Sequence, residues 1–134
     1  MGQSIYPGPS AVRPITPVSA VLVVEDQPLL LMAAIELVTT EGFTAIEARN
    51  ADEAVAILER RADVRVIFSD IDMPGSMDGM KLAACVRDRW PPVRIILTSG
   101  RAKPGAGELP SGSLFFAKPY TRIAVASAIR QMAA

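Results

Sequence analysis

Three short apolar runs constrain this chain more than any other feature: AVLVV (20–24), VRVIF (64–68) and VRIIL (93–97). Each is rich in β-branched residues, none alternates simply between apolar and polar, and each ends in polar groups: Glu25-Asp26, Ser69-Asp70 and Thr98-Ser99. Continuous runs of this length suit strands buried on both faces, which means a parallel sheet with helices above and below. FTAIEA (43–48) and SLFFAK (113–118) read as two more peripheral strands. Helical stripes lie between the runs: Leu30, Ala34, Leu37 and Val38 in 28–40; Ala54, Ile57 and Leu58 in ADEAVAILERR; Leu82, Cys85, Val86 and Trp90 in 79–90. A last helix, with Val125, Ile129 and Met132 inward, runs from 121 to the end. Gly42 and Pro91-Pro92 serve as stops. The alternation predicts an α/β fold: a doubly wound, five-stranded parallel sheet with right-handed crossovers. GRAKPGAGELPSG (100–112) breaks the pattern, since six of its thirteen residues are Gly or Pro, and a regular helix is not expected there.

At 134 residues the chain has length for one core. Residues 1–18, with four prolines and no apolar stretch, read as a Pro-rich flexible tail, and 19–134 as the folded domain. Nothing in that start resembles a signal peptide or membrane span, nor does it carry the Ser or Thr that myristoylation prefers at position six. A cytoplasmic protein is expected. Fourteen basic residues balance fourteen acidic ones, so neither nucleic acid nor a membrane is expected as partner. The single cysteine, Cys85, sits in a helical pattern and reads as a small buried hydrophobe. Histidine is absent from the sequence, which excludes His-ligated metals and Ser–His or Cys–His catalysis within the chain.

In a doubly wound sheet, function gathers at the carboxyl ends of the strands near the switch in strand order. Glu25, Asp26, Asp70, Thr98 and Lys118 all fall there. Converging carboxylates stay ionised together only if a cation compensates them. A hard ion with oxygen ligands, above all Mg²⁺, suits a site without His or Cys, with Asp26 and Asp70 as direct ligands and Glu25 acting through water. Lys118 adds a positive charge that the metal alone does not require, which points to a phosphoryl group. Asp70 is then a candidate nucleophile forming an aspartyl phosphate, with Lys118 and the Thr98 hydroxyl on phosphoryl oxygens.

VVEDQ, FSDIDMPGSMDG, ILTSG and FFAKPY, spread in order over residues 20 to about 133, resemble the successive signatures of the receiver domain of bacterial two-component response regulators. The resemblance implies a flavodoxin-like (βα)₅ fold, Mg²⁺ dependence, and phosphorylation by a sensor histidine kinase or histidine phosphotransfer protein. It maps Asp70 as phosphoacceptor and Glu25-Asp26 as the acid pair. Thr98 becomes the switch hydroxyl, with Ser99 beside it in the phosphate-binding group, and Lys118 the phosphate-binding lysine. The Asp72 main-chain carbonyl completes the metal shell, and Phe115 is the switch aromatic. PGSMDG has one residue more than the commoner PGMDG, a local loop difference. The 100–112 segment falls where the family places its fourth helix, so the family's usual surface of fourth helix, fifth strand and fifth helix is not expected in its usual form.

The expected function is a stand-alone response regulator, a monomer or weak homodimer, that signals through a downstream protein target or passes its phosphoryl group onward. It is not an enzyme beyond its own phosphorylation and dephosphorylation. Two alternatives stand beside this: a pseudo-receiver that only binds, and a phosphatase of the haloacid-dehalogenase type, whose D-x-D pair Asp70-Ile71-Asp72 fits. That pair normally closes the first strand of such phosphatases, and here it closes the third. The Asp72 side chain is expected to face solvent; otherwise it sits at the pocket mouth, where its charge acts on the water that hydrolyses the aspartyl phosphate. The bland alternative for Glu25-Asp26 is a cap on the helix starting near Pro28, a role Asp26 can combine with binding metal.

Overall fold

The computed structural model describes residues 19–101, 103–105 and 107–134, so the tail assigned to 1–18 lies outside the described residues. Five strands, β1 (Ala20–Val24), β2 (Thr44–Ala48), β3 (Val64–Asp70), β4 (Arg94–Ser99) and β5 (Leu114–Ala117), form one parallel sheet in the order β2-β1-β3-β4-β5. Four helices accompany them: α1 (Pro28–Thr40), α2 (Ala51–Arg60), α3 (Gly79–Arg89) and α4 (Arg122–Ala133). The flavodoxin-like doubly wound fold expected from the sequence is therefore present. Among the described residues between β4 and β5 there is no helix, as the Gly and Pro content of that segment predicts. No helix among the described residues is long and apolar enough to cross a membrane.

The three β-branched runs are the three inner strands, and nearly every residue in them is buried. β2 and β5, at the edges, are half-exposed. One face of the sheet packs Leu22, Ile67, Ile95 and Leu97 under α2 and α3; the other packs Val21, Val23, Phe68 and Ile96 under α1 and α4. Each such buried aliphatic side chain contributes about 1.5–3 kcal/mol of transfer free energy. The helix starts follow capping chemistry: Asn50 accepts from the Glu53 N–H at 2.8 Å, Asp78 from Lys81 at 2.9 Å and Thr121 from Ala124 at 3.2 Å. α1 is different. Gln27 occupies its cap without a side-chain bond and Pro28 opens it, so Asp26 does not cap this helix.

α1 also corrects its predicted stripe. Leu31, Ala34, Leu37 and Val38 are buried, whereas Leu30 is 40% exposed and Leu29 and Met32 are 80% and 65% exposed. Seven consecutive apolar residues, Leu29–Ile35, blurred the helical phase in the sequence. Cys85 is half-buried and free, beside the buried Leu82 and Val86.

Two loops on the carboxyl edge are tightly held. The extra residue of PGSMDG, Ser76, donates to Asp52 Oδ1 at 2.8 Å and ties the loop after β3 to the first turn of α2. Gly79 starts α3 directly against the end of β3: its N–H donates to the Ile71 carbonyl at 3.0 Å. A Cβ at Gly79 would lie 2.6 Å from the Ile71 Cα and closer still to the Asp70 carbonyl oxygen, both backbone atoms that cannot turn aside. Gly79→Ala is therefore expected to destabilise the fold by about 2–3 kcal/mol through overpacking. A lowered urea midpoint with unchanged m-value checks this; a midpoint equal to wild type would show that the close approach is not needed.

Candidate functional site

All five strands run the same way, so their carboxyl ends share one edge of the sheet, and β1 and β3, which leave toward opposite faces, open a crevice there. Glu25 and Asp26 follow β1 directly, Asp70 is the last residue of β3, Thr98 lies opposite Asp70 in the β3–β4 register, and Lys118 follows β5. The structure thus brings the five predicted residues to one place. Asp70, Glu25 and Thr98 are all buried, Asp70 being 3% exposed and Glu25 6%.

Lys118 Nζ lies 3.2 Å from Glu25 Oε1 and 3.3 Å from Asp70 Oδ2, bridging the two carboxylates. The Lys118 N–H donates to the Ser99 carbonyl at 2.8 Å, which fixes the base of that side chain against β4, and the Lys118–Pro119 peptide is cis. The Asp72 N–H donates to Asp70 Oδ1 at 3.2 Å, and the Gln27 N–H to Glu25 Oε2 at 3.1 Å. Burial is the main influence on both acids and raises the Asp70 and Glu25 carboxyls above their ordinary values, against the pull of Lys118 and the backbone donors. Burial pulls the Lys118 ammonium down, but Glu25 and Asp70 outweigh it and hold the ammonium above its ordinary value. Behind Asp70, a cavity of about 10 Å³ is lined by Val23, Phe68, Thr98 and Tyr120 among others. Burial raises the Tyr120 phenol, whose ring meets Phe68 edge-on at 5.8 Å between centroids.

Carboxylate oxygens of Glu25, Asp26 and Asp70 all lie within 4.8 Å of one another. Asp26 Oδ1 is buried with no hydrogen-bond partner. A buried carboxylate oxygen without a donor is costly unless a cation meets it, so this atom, in an all-oxygen acidic cluster, fits a hard divalent ion.

The remaining predicted residues are placed as follows. Phe115 is half-buried and packs against the α2–α3 side of the core, alongside Leu109. Asp72 does not point its side chain to solvent: Ser99 Oγ donates to Asp72 Oδ2 at 2.7 Å, and the Gly100 N–H reaches the same oxygen at 3.3 Å. The sequence analysis missed this pairing. It joins residues 27 positions apart, one in the loop after β3 and the other at the end of β4, and no local pattern signals it.

The geometry has counterparts in known proteins. The model of the response regulator receiver domain matches residues 21–129. The sensor kinase CckA of Brucella abortus is 31% identical over 118 residues, which cover 85% of this chain and 12% of that protein. The nitrogen assimilation regulatory protein NtrX of Azorhizobium caulinodans is 33% identical over 81 residues, 60% of this chain and 18% of that protein. The chain therefore spans under a fifth of these relatives. Among solved structures, the receiver domain of the hybrid histidine kinase CckA superposes with a TM-score of 0.73 at 26% identity, covering 87% of this chain and all of that one. A response regulator receiver protein of Sinorhizobium medicae gives 0.81 at 24% identity, covering 87% and 94%. With the family model spanning most of the domain and the fold matching throughout, this chain belongs to the receiver domains of two-component response regulators.

Proposed function

We propose that Asp70 is the phosphoacceptor of this receiver domain, taking a phosphoryl group from the phosphohistidine of a sensor histidine kinase or histidine phosphotransfer protein. One observation carries the reading: a buried carboxylate at the end of the central strand, held between Lys118 and a backbone N–H, beside two further carboxylates. An Asp70 oxygen attacks phosphorus, the bond from phosphorus to the donor imidazole breaks with its electron pair left on nitrogen, and a mixed anhydride forms on Asp70. Lys118, already 3.3 Å from Asp70 Oδ2, meets the charge that gathers on the phosphoryl oxygens. The Thr98 hydroxyl, at the register position opposite Asp70, supplies a further donor. Glu25 orients Lys118 through their 3.2 Å ion pair. Receiver domains bind Mg²⁺ in an acidic pocket; here Asp26, Asp70, the Asp72 carbonyl and, through water, Glu25 would hold it, and the ion would neutralise phosphoryl and carboxylate charge. Ser99 acts beside Thr98, and Phe115, beside the loop before β5, is the ring whose packing reports the change to a downstream protein. Asp72 is engaged by Ser99 and Gly100, which does not suit the second acid of a D-x-D phosphatase.

The donor's docking surface in this reading is the start of α1. Leu29 and Met32 are exposed there, and Leu30 shares an open pocket of about 360 Å³ with Glu25, Lys118, Pro119 and Tyr120. An apolar helix face at the mouth of the acidic site suits a helix that presents a phosphohistidine. Leu29→Lys with Met32→Lys is expected to slow phosphotransfer tenfold or more, roughly the value of two buried apolar contacts. Transfer from a panel of phosphorylated histidine kinases measures this, and unchanged rates would move the docking surface elsewhere.

Acetyl phosphate with Mg²⁺ is expected to add one phosphoryl group to the wild type by intact mass, and none to Asp70→Asn or in the presence of chelator. A phosphoryl gain on Asp70→Asn would remove Asp70 from the role.

The electrostatics give a stability test. Because the folded-state values of Asp70 and Glu25 lie above the ordinary 3.8 and 4.5, the fold favours their neutral forms. The stability that protonation lends is present at acid pH and is lost as pH rises from the ordinary values through the raised ones. In chelator at neutral pH, Asp70→Asn is expected to melt above the wild type, by roughly 4 °C for each kcal/mol relieved. The gap should close as pH falls toward 3.8. Mg²⁺ should raise the melting temperature of the wild type more than that of the variant. A variant that melts below the wild type at neutral pH would show that Lys118 already compensates the charge in full.

A further inference from the structure

We propose that Asp72 is a positioning residue which clamps the segment after β4 to the phosphorylation loop, and that a phosphoryl group on Asp70 releases the clamp. The proposal rests on the phosphoacceptor reading of Asp70. Its starting point is one residue with two attachments. Through its backbone, Asp72 donates to Asp70 Oδ1 at 3.2 Å. Through its carboxylate, it accepts from Ser99 Oγ at 2.7 Å and from the Gly100 N–H at 3.3 Å. Ser99 Oγ in turn accepts from the Arg101 N–H at 3.0 Å. Ser99 is buried and Asp72 half-buried, so these charge-assisted bonds are poorly screened and strong.

What the clamp holds is the first part of the segment at 100–112, which stands where the family has its fourth helix. The far end of that segment is anchored separately: Arg87 donates to the Pro91 carbonyl at 3.1 Å and also to the Ser111 carbonyl, while Leu109 packs into the core. Releasing Asp72 therefore frees the near end alone and leaves the far end pinned. A helix-forming segment would carry its own backbone bonds through such a change. Here the amides of Gly100 and Arg101 depend on Asp72 and Ser99.

Phosphorylation supplies the force. An aspartyl phosphate carries more negative charge than the carboxylate it replaces, and the Asp72 carboxylate belongs to the residue whose N–H already touches Asp70. The Asp72 charge already opposes that of Asp70, though less than burial does, and the added charge of a phosphoryl group strengthens the opposition. The Thr98 hydroxyl, drawn to the phosphoryl group, shifts Ser99 in the same step because the two are adjacent in β4. In this account the Asp72 charge acts on the loop, and its Oδ2 is occupied rather than presented to a hydrolytic water.

Amide hydrogen exchange at Gly100 and Arg101, with intact mass taken on the same samples, tests both halves. Without phosphate, Asp72→Ala should speed exchange at both amides roughly tenfold or more, and Ser99→Ala should do so at Arg101. Asp72→Asn keeps an acceptor oxygen in the same place and should retain the protection. After acetyl phosphate and Mg²⁺, the wild type should exchange as fast as Asp72→Ala. The phosphorylated Asp72→Asn should stay slow, because it has the bonds and lacks the charge. A wild type that gains its phosphoryl group with exchange unchanged overturns the release, and Asp72→Ala exchanging at the wild-type rate overturns the clamp. If the wild type gains no phosphoryl group, the Asp70 reading fails and the release with it, while Asp72→Ala still decides the clamp.

Discussion

The ion bridge from Lys118 to Asp70 and Glu25 is the contact on which the rest of this site depends. Asp70 sits at the end of a strand covered on both faces, where a carboxylate has lost most of its water. Glu25 and Asp26 bring two more negative charges against it. Coulomb repulsion among such groups in a half-dry crevice amounts to several kcal/mol, and one ammonium offsets part of it. Burial, the larger effect, still leaves the carboxyls of Asp70 and Glu25 raised despite that ammonium. A site in that condition is prepared for positive charge. A divalent ion would bring these three carboxylates and one ammonium close to neutrality, and a further anion would be tolerated only in its company.

The sheet provides this arrangement at little additional cost. Its inner strands are held by apolar contacts on both faces, and the polar residues need only lie at the strand ends, where the chain leaves the sheet. The parallel register then sets Thr98 opposite Asp70 and Ser99 opposite Ala117, one residue before Lys118. Gly79 completes the geometry by letting α3 start against the backbone of Asp70 and Ile71. The same packing that buries Ile67 and Leu97 therefore fixes Asp70, Thr98 and Lys118 relative to one another.

Most of this was legible in the sequence because it rests on local pattern. β-Branched runs read as inner strands, their polar ends read as the site edge, and the Gly- and Pro-rich 100–112 segment read as irregular. What could not be read depends on distance or on phase. Leu30 and Leu31 are equivalent in a run of seven apolar residues, Leu29–Ile35, and only packing against β1 and α4 chooses Leu31. Asp26 matched the composition of a helix cap, but Pro28 opens α1 with Gln27 at the cap, and Asp26 Oδ1 is left without a donor. Asp72 was read as solvent-facing, and the partner that turns it inward comes from another strand.

These misreadings share a cause that bears on function. Asp26 and Asp72 each depart from the role that local chemistry assigns, and each does so next to Asp70. Local rules fail where residues are held for something other than the stability of the fold. At Asp26 the departure leaves an oxygen facing the acidic cluster. At Asp72 it spends a carboxylate on the end of β4 and the residue after it, while the strand ends are already joined by the backbone bonds of Ile71 and Lys118 to Thr98 and Ser99. Such a tie acts on the amides of Gly100 and Arg101 rather than on the strands. Its effect appears when the charge on Asp70 changes, because the backbone bonds are neutral and the Asp72 carboxylate is not. The neutral backbone bonds that hold the strands in place are thus distinct from the charged side chain on which the proposed response to phosphorylation rests.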